Sequence, residues 1–414
     1  MRSSQNSPAD VRMKGFASRQ TVEQAWAWLD EQAAPLASES VPLAAAAGRV
    51  LSEPIASPID VPRFARAMMD GYAVRAIDTS GASPYNRLPL NIIGGVLPGE
   101  TFDRTVQAGE ACRVMTGAPL PAGADAVLPF ERTECEAERL WALAELSPGK
   151  HVGPRGEDIV AGTTLFESGR RLRPQDIGAL ASIGVAEVAV VRRPRVRLVI
   201  TGNELLPAGS QPTGPKIVDA NGPMLSALVR RDGGEPIYPH IVRDDPSEIL
   251  ETMRDEADVI LVSGGSSVGQ EDYAPMLLAE HGELAIHGVA MRPSSPTGMG
   301  RLGKRLVFLL PGNPVSCLCA YDFFAGRAIR ALGGRPLTWP YRVVRLPLAR
   351  KLVSTIGRVD YARVRIVGGR VEPLAISGAS ILSSTTRADG FVIVPADSEG
   401  LPPAAEVEVY LYDE

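Results

Sequence analysis

The sequence predicts a multidomain α/β protein, with a central, doubly wound and mostly parallel α/β domain plus β-rich domains and a helical linking domain. Three observations predict it. From Arg195 the chain repeats a rhythm of strand, turn and helix, as parallel sheets with helices on both faces require. From about Pro58 to Pro148 short apolar runs alternate with Gly-Pro turns, the pattern of a small β domain. The 414 residues, 45% of them apolar, are enough for several compact modules.

In chain order, residues 1–18 are polar and read as a disordered tail. "TVEQAWAWLDEQ" opens a helix: Thr21 can cap it, Gln24 can reach back, and Val22, Ala25, Trp26 and Leu29 share one face. A second helical stretch, "RRLRPQDIGALASIGV", is grouped with it in a discontinuous linking domain, 19–58 and 148–182. The small β domain at 59–147 interrupts that domain. The α/β domain runs over 183–334. Its strand "RVRLVIT" leads into the helix "NGPMLSALVRRDGG", which paired glycines stop. The strand "EPIYPHIV" and the helix "DPSEILETMRDEA" follow, with Asp245 as cap, Pro246 at the first position and Glu248 closing a capping box. "DVILVSGG" is a strand and "DYAPMLLAEHG" a helix, and "RLVFLLPGNP" runs into the helix "VSCLCAYDFFAGRAIRALGG". Residues 335–414 return to β signals, with turns at "VGGRVEP" and "ADGF".

Composition excludes several classes of function. A net charge of −5 argues against broad nucleic-acid binding, which needs a basic surface. No apolar run approaches the roughly 20 residues that span a bilayer. The first residues lack the apolar core of a signal peptide, so a soluble, cytoplasmic protein is expected. Cys112, Cys135, Cys317 and Cys319 have no zinc-like spacing and read as free thiols.

In an open α/β sheet, ligands bind beyond the carboxyl ends of the strands. Three such ends carry unusual residues: "TGNE" (201–204), "SGGSSVGQED" (263–272) and "LPGNPVS" (310–316). Gly264, Gly265, Ser266, Ser267 and Gly269, with Pro311, Gly312 and Asn313, can bring bare backbone amides up to a phosphate. Glu204 and Asp272 stand beside those amides, which makes chemical sense if a hard cation such as Mg2+ bridges acid and phosphate. Tight turns and helix caps give the same residues a purely structural role. A rival chemistry is a serine hydrolase: Gly265-Ser266-Ser267-Val268-Gly269 fits G-x-S-x-G after a strand, with Ser267 as nucleophile. Against it, only His281 and His287 follow, both close behind Ser267, and no "HGGG" element occurs.

"VSGGSSVGQEDY", "LPGNPVS" and "IVRDDPSEI" resemble the molybdopterin molybdenumtransferases, the family of MoeA and the gephyrin E domain. The resemblance continues in "DVPRFARAMMDGYAVRAID" (60–78), "RVMTGAPLPAGADAVLPFE" (113–131) and "GPRGEDIVAG" (153–162), so it covers nearly the whole chain after the tail. It makes the α/β domain one of the molybdopterin-binding type and implies an elongated homodimer with a shared cleft. The implied reaction joins molybdate to the dithiolene of adenylylated molybdopterin, releases AMP and uses Mg2+. The upstream adenylyltransferase and recipient molybdoenzymes are the implied protein partners. Carried over residue by residue, it points to Asp70, Thr116, Glu157, Asp158, Glu204 and Asp272 as catalytic. Glu204 and Asp272 would handle metal or molybdate near the phosphates, and Arg155 would act as a forked donor to an oxyanion. Asp219 and Asn221 would hold the pterin end, unless Asn221 is a helix cap; Ser383 lies in a family segment near the cleft.

Three departures stand out. The family's T-G-D-E is Thr201-Gly202-Asn203-Glu204 here, leaving Asn203 as a weaker, neutral metal ligand. Where the family often has K-P-G-K-P, Arg292 keeps one cation and Ser295 loses the other. "ARA" (65–67) replaces D-N-S. The expectation is a working enzyme; the alternative is a pterin-binding carrier or scaffold of the same fold with impaired insertion.

Overall fold

The computed structural model describes residues 19–265, 273–375 and 378–412. The chain forms two compact units, Ser40–Ala189 and the combination of Met1–Glu39 with Val190–Glu414.

The Ser40–Ala189 unit is built on a six-stranded sheet. Its strands are β1 (Gly71–Val74), β2 (Leu88–Val96), β3 (Glu110–Val114), β4 (Ala126–Pro129), β5 (Thr133–Glu136) and β6 (Arg139–Ala142). They lie in the order β4-β1-β3-β2-β6-β5, and only the β2–β3 pair is parallel. Strand alternation sends Tyr72 and Val74 into one core with Leu90, Leu128 and Leu140. Ala73 goes to the other face with Cys112, Val114 and Val127. Both faces of β1 are therefore covered. Helix α2 (Pro174–Ser182) starts with proline in its first turn, and buried Asp176 accepts hydrogen bonds from both Arg170 and Arg173.

The second unit contains a six-stranded α/β sheet. Its strands are β7 (Arg195–Ile200), β8 (Glu235–Ile237), β9 (Val259–Ser263), β10 (Glu283–His287), β11 (Gly298–Leu302) and β12 (Arg305–Leu310). The order is β8-β7-β9-β12-β11-β10, parallel from β8 to β12 and antiparallel at the β11 and β10 edge. Residues alternate across it. Leu198, Ile200 and Leu261 face one core, and Val199, Ile260 and Val262 the other. Helices α4 (Pro246–Met253) and α5 (Ala274–His281) supply Ile249, Met253, Leu277 and Leu278 to the second core. Helix α3 (Asn221–Arg231) and helices α6 (Pro314–Ala320) and α7 (Gly326–Leu332) cover the first.

Several elements differ from the sequence reading. Helix α1 (Val22–Gln32) has the expected Thr21–Gln24 capping box, but it packs in the α/β unit rather than with α2. Val22, Ala25 and Leu29 enter the same core as Leu198 and Phe323, and Trp26 donates to the Phe323 carbonyl at 2.8 Å. "EPIYPHIV" keeps only three strand residues, because β8 is an edge and Pro239 has no N–H for a ladder. Asp245 caps α4, yet Glu248 reaches the Arg243 N–H at 3.5 Å instead of closing the box. The single helix expected after Pro314 is broken by a π-helical turn, Tyr321–Ala325. That turn carries fully buried Asp322, which accepts from Arg231 at 2.8 Å and from Tyr341 at 2.9 Å.

The C-terminal sheet belongs to the same unit. It contains β13 (Arg342–Pro347), β14 (Val359–Val367), β15 (Arg370–Ala375), β16 (Gly390–Val394) and β17 (Glu406–Leu411). The two-residue strand Met291–Arg292, from the α/β segment, pairs in parallel with β14.

Candidate functional site

Between β7 and β9 the sheet order reverses: the chain leaves β7 outward to β8, then returns to β9 on the other side of β7. Crevices at such switch points are where open α/β sheets take ligands. A cleft of about 680 Å³ lies there, lined by Thr201, Glu204, Asp219, Asn221, Asp244, Ser263 and the Pro311–Pro314 turn among others. The strand ends converge closely. Gly264 has φ +99°, and a Cβ on it would lie 2.3 Å from the Thr201 carbonyl oxygen, so only glycine fits. A Cβ on Gly312 would in turn come within 3.6 Å of Gly264 Cα.

Asp219 is 5% exposed and caps α3, accepting from the amides of Asn221 at 2.8 Å and Gly222 at 3.0 Å. It also accepts from the Tyr238 hydroxyl at 2.7 Å. Burial, with Asp219 as the next cause, pushes the Tyr238 phenol well above its ordinary range, so it stays a donor. Asn221 is not the cap. Its side-chain amide donates to Ser263 Oγ at 2.9 Å and to the Gly312 carbonyl at 2.8 Å, tying α3 to the ends of β9 and β12.

Asn203 and Glu204 are exposed at the end of β7. The Asn203 N–H donates to Asp244 Oδ2 at 2.9 Å, and Asn203 Oδ1 accepts the Asp244 N–H at 3.4 Å. Lys216 Nζ donates to the Asn203 carbonyl. Asp244 therefore brings a second carboxylate to the cleft beside Glu204. Sequence reasoning quoted "RDDP" only as a family mark and missed Asp244 and Lys216; the available signal was a second acid ahead of the α4 cap. Among the described residues no group of three or more acidic, histidine or cysteine side chains forms a metal cage. Mg2+ needs none, since it commonly uses one or two carboxylates with phosphates and water. Glu204 and Asp244 fit that requirement, with the amide oxygen of Asn203 already engaged.

Asp272, Ser266, Ser267 and Gly269 lie outside the described residues. Gly265 and Asn313 line the cleft with the residues above. Arg292 and Ser383 do not. Arg292 is committed to fully buried Asp360, with its Nε 3.0 Å from Oδ1 and an Nη on Oδ2. Ser383 is exposed at the start of a one-turn helix, and Ser380 lines the cleft in its place.

The Ser40–Ala189 unit holds the other predicted residues. Asp70 Oδ1 accepts both the N–H and the hydroxyl of Thr116, at 2.7 and 2.8 Å. The Thr116 amide, then its hydroxyl, hold the Asp70 carboxyl below the usual range. Arg66 pairs with Glu157 at 3.1 Å, and the exposed Arg155 pairs with Asp60. Asp158 is exposed, anchored through its N–H to the Val61 carbonyl. Backbone hydrogen bonds from Gly117 to Ala67 and from Met68 to His151 knit these three segments together.

Comparison with known proteins places this architecture. Residues 20–184 match the MoeA N-terminal region (domain I and II), 197–331 a probable molybdopterin binding domain, and 345–412 the MoeA C-terminal region (domain IV). The chain is 34% identical over 384 residues to "Molybdopterin molybdenumtransferase 2" of Mycobacterium tuberculosis, covering 90% of this chain and 94% of that one. The chain belongs to the MoeA family. A putative molybdopterin biosynthesis protein of Methanocaldococcus jannaschii is 32% identical, covering 90% and 92%. A solved structure of the molybdopterin biosynthesis MoeA protein of Pyrococcus horikoshii superposes with a TM-score of 0.84 at 34% identity, covering 96% of this chain and all of that one. The MoeA fold thus accounts for all three segments of the chain. No helix among the described residues is long and apolar enough to cross a membrane.

Proposed function

We propose that this chain inserts molybdate into the dithiolene of adenylylated molybdopterin, forming the molybdenum cofactor and releasing AMP with Mg2+ as the assisting cation. The observation that carries the reading is the switch-point cleft of a MoeA-family chain, in which glycine-bearing strand ends meet the carboxylates of Glu204 and Asp244. In this reading the amides of Gly264, Gly265 and Gly312 receive phosphate oxygens, and Glu204 with Asp244 would hold Mg2+, together with Asp272. Bound Mg2+ would neutralise charge on the phosphates.

The second group acts differently. Asp70 Oδ1 takes both the amide and the hydroxyl of Thr116, at 2.7 and 2.8 Å, so Asp70 orients Thr116. Thr116, Arg155, Glu157 and Asp158 then contact oxyanion or water in a homodimer cleft. The adenylyltransferase that makes the substrate and the molybdoenzymes that receive the product are the protein partners of this reading.

The test is AMP release by the purified chain with adenylylated molybdopterin, molybdate and Mg2+. Molybdate-dependent release that falls about 100-fold in Glu204→Gln supports it. Tight pterin binding with no AMP at any molybdate concentration would leave a carrier or scaffold instead.

A further inference from the structure

Away from the strand-end cleft, the unit of Met1–Glu39 with Val190–Glu414 holds a second cavity, of about 410 Å³. Trp26, Phe323, Trp339, Tyr341, Val343 and Tyr410 line it. Val343 on β13 is 44% exposed and stands directly across from Tyr410 on β17. An aromatic hollow with an exposed valine at its side is the kind of apolar surface that another segment covers. Its walls are fixed. Trp26 and Trp339 donate their indole N–H groups to the Phe323 and Asp322 carbonyls, at 2.8 and 2.9 Å. Both acceptors lie in the π turn, so these hydrogen bonds keep the two rings from swinging inward to fill the space.

Chain length and an anchor name the cover. Helix α1 starts at Val22, and Trp26 is four residues, about 6 Å, along its axis. Gln20, just ahead, is pinned by two backbone hydrogen bonds. Its N–H donates to the Gly288 carbonyl at 3.0 Å, and its carbonyl accepts the Ala290 N–H at 2.8 Å. Two residues of chain join Gln20 to Val22, so Trp26 lies within about 13 Å of that anchor. Phe16, four residues upstream of Gln20, reaches about 14 Å, and Met13 about 24 Å.

The sequence ahead of Arg19 fits the hollow in pattern and charge. In "ADVRMKGF" (9–16) apolar and charged residues alternate, which puts Val11 and Met13 on one side of an extended chain and Asp10, Arg12 and Lys14 on the other. Among the described residues β13 pairs only with β17, leaving an edge that an extended segment can join. Arg2, Arg12 and Lys14 against Asp10 make residues 1–18 basic, whereas α1 carries Glu23, Asp30 and Glu31 and no basic residue. We infer that Val11–Phe16 lie across this hollow in the same chain, with the Phe16 ring seated against Trp26 and Trp339. The tail is then a built-in cover, and any other partner of this face must displace it. The cover is independent of the reaction at the strand-end cleft.

Tryptic cleavage of the folded full-length chain after Arg12 and Lys14 reads the cover, because cleavage tracks the population of the open form. Cleavage after Arg2, outside the covered segment, is the internal control. Val343→Glu puts a charge into the hollow at an exposed position, and Phe16→Ala removes the anchor; a melt checks that each variant folds. Should Val343→Glu not fold, Thr338→Glu, on the exposed rim, serves instead. Each variant should speed cleavage at the two bonds at least about fivefold over wild type, and the double variant no further. Equal rates in wild type and variants overturn the inference. Faster cleavage in Phe16→Ala alone also overturns it, because the tail then sits elsewhere. Wild-type protection should hold constant over about a hundredfold range of protein concentration. Protection that grows with concentration would make the occupant a second copy of the chain and overturn the cover within one chain.

Discussion

Asn203 shows what a single neutral atom changes. Its side chain receives the Asp244 amide while its own amide serves the Asp244 carboxylate, so a carboxylate at 203 would still find its donor but would face a like charge. Asn203→Asp is expected to lower the Mg2+ concentration needed for half-maximal AMP release by about threefold. It should also lower Tm in EDTA, with Mg2+ restoring it; a melting scan with and without the ion checks this. Asp176 makes a different kind of point. Hydrogen bonding to Arg170, and then to Arg173, holds its carboxyl far below the ordinary range despite burial. A depressed carboxyl stabilises the fold above its unfolded pKa, near 4, and the contribution fades as pH falls below that. Asp176→Asn should therefore cost about 2 kcal/mol at pH 7 and make stability less sensitive to acid below pH 4, read from melts across pH 2.5–7.

Helix α3 is the element on which the cleft depends, because its first turn carries Asn221 and the two amides that Asp219, just ahead of the helix, accepts. Asp219→Ala removes acceptors from two amides and from Tyr238, and should cost about 2 kcal/mol in urea denaturation. Tyr238→Phe should cost about 1 kcal/mol, leaving phosphate binding intact. Legibility in the sequence followed distance along the chain. The Thr21–Gln24 box and the Asp245 cap could be read because their partners are three residues away or fewer. The strands β7, β9 and β12 were legible as apolar runs between glycine turns, and the three loops they present were found with them. Asp244 was not recognised, because its place beside Asn203 is fixed by how the start of α4 returns to the end of β7, 41 residues away. The pairing of Arg292 with Asp360, 68 residues downstream, was likewise invisible to local pattern.

At the scale of the molecule, an aromatic cluster joins α1, the π turn and the C-terminal sheet. Trp26, Phe323, Trp339, Tyr361, Phe391 and Tyr410 connect through successive ring contacts of 4.3–6.1 Å. Trp26→Ala should destabilise this unit by about 3 kcal/mol and leave the melting of Ser40–Ala189 unmoved, which differential scanning calorimetry can resolve. The parallel pairing of Met291–Arg292 with β14 has a further consequence for how this gene can be rearranged. A truncation after residue 334 would remove Asp360 from a half-buried Arg292 and strip the ladder from Met291. The segment that resembles a self-contained cassette would then expose one orphaned cation and an open strand, a template for self-association. Shuffling this module between proteins therefore requires carrying β14 along with it, or first replacing Arg292.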